Sequence, residues 1–236
     1  MEQPTLAEQK INELIEQPIS GSELKRKIPG VNIIEYSDLT KYETIDNVLG
    51  TNGVAAILYM TGPHFGHWTL LFKKPPTPLE PEEDNLEFFD SYGFKLDEEF
   101  KDISYDPGDR KILHKLVAES KYNHLVCNTV DLQSESSHDN TCGRWCIVRY
   151  DFRTTPIAEF EDYFLMYPSK LRDQLVTLLS LDEHDSRNTF PGELATEIAK
   201  AIKEIHDSSD QTPPIVTIDD RARGRTGTEK KSGGNQ

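Results

Sequence analysis

The chain has 236 residues and a formal net charge of −15 at pH 7. That balance excludes a surface built for general binding along a phosphate backbone, though not a local basic site. No apolar run approaches a membrane span, the N-terminus lacks the apolar core of a signal peptide, and three cysteines fit a reducing compartment better than a disulfide framework.

Leu6, Ile11, Leu14 and Ile15 recur at roughly helical spacing and stop at Gln17-Pro18. Ser20-Gly21-Ser22 then introduces a short charged helix through Lys27, closed near Pro29-Gly30. Residues 37–40 and 44–49 read as helical turns, with Gly50 as the stop. From Gly53 the pattern changes: residues 54–60 form a continuous apolar run of strand length, suited to a sheet interior. Residues 66–72 and 86–90 are two more strands, joined by a proline- and acid-rich loop over 74–84. These neighbouring runs predict a largely antiparallel sheet with hairpin-like links. Residues 97–109 are irregular and acidic, 111–120 read as a helix, and 125–130 as a fourth strand.

Three helices are predicted next. The first begins at Cys142 and reaches about 151, with Trp145, Cys146, Val148 and Phe152 lining one buried side. The second covers 156–166. The third covers 169–181, with Ser169 as cap and Leu171, Leu175, Leu178 and Leu179 on one side. Beyond 182 the spacing over 192–206 gives one amphipathic helix, and 207–236 has the composition of a disordered tail.

Chemistry concentrates where the polar stretch 132–141 runs into the helix at Cys142. At a helix start, unpaired backbone N–H groups and the helix dipole stabilise a thiolate. Gly143 removes a side chain beside the sulfur, so a substrate backbone can approach. A cysteine nucleophile also needs a base, a group orienting that base, and oxyanion donors. His67 lies on one predicted strand and Asp90 at the end of the next, within reach of an Nδ1–H···carboxylate bond across strands about 5 Å apart. Gln133 offers an amide donor upstream of Cys142, and Asn140 is a second candidate donor. His64 precedes its strand and His138 lies in the loop, so both compete less well for the base role. Trp68 alternates to the opposite sheet face and reads as packing. Cys146 lies one turn inside the helix and Cys127 mid-strand, both placed for a core. Cys127, Cys142, Cys146 and His138 lack recognised zinc-ligand spacing, so no metal is expected.

Gly66-His67-Trp68, Phe88-Phe89-Asp90-Ser91-Tyr92-Gly93, Gln133 and Thr141-Cys142-Gly143-Arg144-Trp145-Cys146 together resemble the adenain-like cysteine peptidases. These share a fold with the SUMO-specific Ulp proteases. The similarity is strongest to the capsid-maturation branch of virophages, Maverick/Polinton elements and large DNA viruses. The resemblance spans roughly 44–181 and implies an α+β fold, with a central mostly antiparallel sheet flanked by helices. It implies His67 as general base, Asp90 as its orienter, Cys142 as nucleophile and Gln133 as oxyanion-hole donor beside the Cys142 backbone N–H. The implied reaction is peptide hydrolysis through a thioester, without metal or organic cofactor. It implies cleavage at small-residue, often Gly-containing sites of capsid or scaffold precursors, in a virion, host cytoplasm or virus factory.

The chain then divides into an N-terminal helical layer (1–43), a protease core (44–181), a helical extension (182–206) and the tail (207–236). Arg221, Arg223, Arg225, Lys230 and Lys231 make that tail locally basic. Its composition favours a solvated end, with contact to nucleic acid, an activating peptide or a capsid lining as the sharper alternative. Two other functions compete: a deconjugating isopeptidase acting on a ubiquitin-like protein, and an inactive protease fold serving as a capsid-binding module.

Overall fold

The apolar run at 54–60 shows no alternation because both of its faces are covered. Val54 and Ala56 pack into one core, whereas Ala55, Ile57 and Tyr59 pack into another on the opposite side. A computed structural model describes residues 6–63, 65–76, 85–98, 111–134, 136, 139–190 and 196. Five strands form one sheet in chain order: β1 (Asn32–Glu35), β2 (Val54–Gly62), β3 (Phe65–Lys73), β4 (Asn85–Phe89) and β5 (His124–Cys127).

The chain is α+β, with a mixed sheet flanked by helices. The expectation of a mostly antiparallel sheet needs correction. β2–β3 and β3–β4 are antiparallel, but β1–β2 and β4–β5 are parallel. The physical reason is the connections. A 3-10 turn (Tyr36–Lys41) and α3 (Ile45–Leu49) separate β1 from β2, and α4 (Ile112–Ala118) lies between β4 and β5. Such crossovers return the chain in the same direction, which a tight hairpin cannot do. Gly50 ends α3 with φ +63° and ψ −165°, a positive-φ backbone that glycine alone adopts readily and that suits the predicted stop.

The 3-10 turn, α3 and α4 supply Leu39, Val48, Leu49, Leu113 and Leu116 to the core on one face. The opposite face carries α2 (Gly21–Lys27), α5 (Cys142–Asp151), α6 (Ile157–Leu165) and α7 (Ser169–Leu179). α1 (Leu6–Glu16) packs along α7. Ser20 and Glu23 form a reciprocal capping box at the start of α2, a sequence signal for its onset. Asp182 and Asp185 do the same for α8 (Glu183–Thr189), a helix the apolar periodicity does not reveal. Apart from residue 196, the expected helix at 192–206 and the tail lie outside the described residues. No helix among the described residues is long and apolar enough to cross a membrane.

α5 buries Trp145, Cys146 and Val148 as expected, with Phe152 packed against the same core, but its burial runs continuously from Gly143 to Arg149, as for a central helix. In α7 the buried residues are Asp173, Val176, Thr177 and Leu179, while Leu171 is 44% exposed. Leu175, Leu178 and Leu179 pack inward as expected, but Leu171 does not, and the buried carboxylate of Asp173 takes the core side near the start of the helix. Ser169 is the first helical residue rather than the cap, which falls at Pro168.

α5 is tied to β4 by a fully buried ion pair. Arg149 Nε and Nη2 donate to the two carboxylate oxygens of Glu87 at 2.5 and 2.8 Å, and Nη1 and Nη2 also reach Phe152 O and Thr155 O. Glu87 lies three residues before Asp90, so this pair fixes the helix bearing Cys142 against the strand that ends at Asp90.

Candidate active site

The β3–β4 ladder stops at Leu70 opposite Phe89. Beyond that pair the strands have no mutual register, and the opening holds His67 on β3 and Asp90 just past β4. His67 Nε2 lies 3.1 Å from Asp90 Oδ1, with both side chains buried. The expected nitrogen was Nδ1. The ring instead presents Nε2 to the carboxylate, which leaves Nδ1 as the nitrogen for a thiol. A carboxylate in this position fixes the imidazole tautomer and favours its protonated form.

Asp90 is itself immobilised. Its backbone N–H donates to Asn128 Oδ1 at 2.9 Å, and Asn128 Nδ2 donates to Asp90 O at 2.5 Å. The Tyr92 backbone N–H adds a 2.7 Å bond to Asp90 Oδ1. Gly93 N–H closes the turn onto Asp90 O, and its φ of +77° with Val130 backbone alongside excludes larger residues. Asn128, a residue the sequence pattern does not single out, therefore holds the acid in place. Its partner is 38 positions away, beyond any local signal.

Tyr92 stacks on His67 with ring centroids 4.9 Å apart at 31°. Burial, opposed by the nearby His67 charge, pushes its phenol up to about 12, so it stays neutral above the imidazole.

Cys142 begins α5 and is half-buried. Burial alone pushes its thiol up. Hydrogen bonding to His67, the charge of that ring, and the Trp68 and Gly143 backbone N–H groups outweigh burial and bring the thiol below its ordinary value. Cys127 lacks this support. Burial pushes Cys127 up to about 11. Cys146 is buried, its Sγ–H donating to Trp68 O at 3.5 Å. Cys127 and Cys146 also pack into opposite layers of the sheet. His64 and His138 lie outside the described residues.

Gln133 is buried and tightly held. Its Oε1 accepts from Ser91 Oγ at 2.8 Å, and its Nε2 donates to Tyr92 Oη at 3.1 Å and Asp139 O at 3.3 Å. The Ser91 hydroxyl thus fixes which end of the amide is the donor. Asn140 takes another direction, its Nδ2 donating to Glu16 O at 2.8 Å and its backbone N–H to Ile15 O.

The segment after α1 is part of this neighbourhood. Trp68 Nε1 donates to Ile19 O at 2.9 Å, and Ile19 packs on Gly143. That contact corrects the role expected for Gly143. A Cβ added there would lie 2.7 Å from Ile19 Cβ and 3.3 Å from Trp68 Cδ1, so the glycine admits Ile19, not a substrate. Gly143→Ala is expected to destabilise the protein by about 1–3 kcal/mol, overpacking outweighing the helix propensity gained. Urea unfolding checks this; a neutral or stabilising substitution would contradict the packing role.

No known family model matches the chain. The chain is 33% identical over 156 residues to Uncharacterized protein V9 of Sputnik virophage, over 63% of this chain and 85% of that relative. The chain therefore belongs to the family of that virophage protein.

Proposed function

We propose that the chain is a cysteine endopeptidase of adenain/Ulp-like fold that processes viral capsid or scaffold precursors at small-residue, Gly-containing sites. The observation that carries this reading is the Cys142 thiol, held below its ordinary value by an imidazole whose far nitrogen meets Asp90. A merely structural cysteine at a helix start has no use for that pairing. Kinship with a virophage protein supports a viral precursor as substrate.

In this mechanism Cys142 Sγ, its proton held by His67 Nδ1, attacks the scissile carbonyl. The new oxyanion takes a bond from the Cys142 backbone N–H and a second from Gln133 Nε2. Gln133 supplies that bond by releasing its longer contact, the 3.3 Å one to Asp139 O. His67 then protonates the departing amine, a thioester remains on Cys142, and a water deprotonated by His67 hydrolyses it. Asp90 holds the ring through both proton transfers.

The test is to incubate the full chain with capsid precursor and, separately, with a SUMO-type conjugate, beside Cys142→Ala. The expected result is cleavage of the precursor at Gly-containing sites, falling by more than about 10⁴-fold in the alanine variant. Cleavage of neither substrate, or cleavage that survives the substitution, would sink the proposal. Preferential cleavage of the conjugate would transfer the same chemistry to an isopeptidase.

A further inference from the structure

The loop between Gln133 and Cys142 must return two groups to one place, and a single side chain grips both of its ends. Asp173 on α7 is 1% exposed. Its Oδ2 accepts the Ser134 backbone N–H at 2.8 Å, and its Oδ1 accepts Thr141 Oγ1–H at 2.6 Å. Ser134 directly follows Gln133, and Thr141 directly precedes Cys142. A third donor, Trp145 Nε1, reaches Oδ1 at 3.0 Å from the first turn of α5.

We infer that Asp173 is a positioning residue that sets the oxyanion donor and the nucleophile relative to each other by clamping both stems of the 134–141 loop. The role rests on the peptidase reading of Cys142 and Gln133.

Burying a carboxylate without a cation is costly. Among the described residues no cationic side chain makes an ion pair with Asp173, so its charge is met by three hydrogen-bond donors. Burial pushes its carboxyl up, and the Thr141, Ser134 and Trp145 donors oppose that. Only an ionised carboxylate accepts all three without presenting a hydrogen of its own. An asparagine can keep Thr141 and Trp145 on its oxygen, but its NH₂ would face the Ser134 N–H. Asp173→Asn thus opens the Gln133 stem selectively. Thr141→Val, nearly isosteric, opens the Cys142 stem. The same helix holds residue 131 as well, Arg172 Nη1 donating to Asp131 O at 3.0 Å.

The experiment compares the full-length chain with Asp173→Asn and Thr141→Val, each shown folded by far-UV circular dichroism. Two readouts are taken: kcat and KM on a Gly-containing peptide, and the rate at which iodoacetamide alkylates Cys142. For both variants kcat is expected to fall about tenfold to a hundredfold with KM within about twofold, as for a displaced reacting group. Thr141→Val should also slow Cys142 alkylation at least about threefold, because its stem carries the sulfur. If either variant fails to fold, the other decides. Wild-type hydrolysis with unchanged kcat in the folded variants would overturn the positioning role and leave the peptidase reading standing. Should the wild type show no Cys142-dependent hydrolysis, the peptidase reading fails. Alkylation by Thr141→Val then decides, slowing supporting the clamp and an unchanged rate overturning it.

Discussion

Replacing His67 with alanine is expected to lower peptide hydrolysis by roughly 10³–10⁶-fold and to move the pH profile of Cys142 alkylation upward. The direction follows from the forces on the sulfur. Burial opposes ionisation, while His67 and two backbone N–H groups favour it and prevail. Removing the ring deletes its hydrogen bond and its charge but leaves burial in place. The wild-type inflection should therefore lie below the ordinary thiol value, and that of His67→Ala above the wild-type one. Iodoacetamide kinetics across pH, with Cys142 identified by mass spectrometry, give both. An inflection unmoved by the substitution would mean that the ring does not act on the sulfur. A corollary concerns stability. A thiol depressed in the native state stabilises the fold fully above its unfolded value near 8.5, and this is lost as pH falls through the native value. His67→Ala should narrow that window.

The parts of this site that were legible in the sequence are those carried by element boundaries. A strand histidine, an aspartate ending the next strand and a cysteine opening a helix each fall on or beside a predicted element, although His67 and Asp90 are both buried. Strand alternation also separates Trp68 from His67. The choice of imidazole nitrogen is a different matter, because it depends on how β3 and β4 part beyond Leu70 and Phe89. The parallel pairing of β5 escaped for a related reason, whereas β1 (Asn32–Glu35) was not read as a strand at all. Apolar runs mark strands, but direction is set by crossovers that periodicity does not encode.

The supporting shell was illegible for want of local signal. Asn128, Asp173 and Arg149 act on partners 38, 32 and 62 residues away. One trace was present. A carboxylate at 173 stands beside Val176 and Thr177 in a helix otherwise read from its leucines. A charge within a candidate buried face asks for buried donors. Here those donors hold Asp173 on the core side, and Leu171 stays outside.

Of these long-range contacts, the pair between Glu87 and Arg149 is expected to have the largest effect on stability. Both side chains are 0% exposed, and the Arg149 guanidinium also lies 4.9 Å from the Phe160 ring centroid. Glu87→Gln removes the charge that answers this guanidinium and leaves it buried among aromatic rings and carbonyls. Breaking such a pair from one side costs about 3–5 kcal/mol. For a chain of this size that corresponds to a fall of roughly 10 °C in melting temperature. Arg149→Lys alone should also destabilise the protein, since a point charge cannot span both Glu87 oxygens and two backbone carbonyls. Replacing both partners, Glu87→Leu with Arg149→Met, is expected to recover part of the loss, because buried ion pairs owe much of their apparent strength to the penalty of orphaning one member, while the buried Lys74 ammonium, 3.9 Å from Glu87 Oε2, still loses that carboxylate. Calorimetry on the three variants separates the cases. A Glu87→Gln variant as stable as the parent would show that the pair does not hold α5 to β4. If the double variant regains stability but Cys142 alkylates more slowly, the charges will have served chiefly to set the register between the helix that opens at Cys142 and the strand that leads into Asp90.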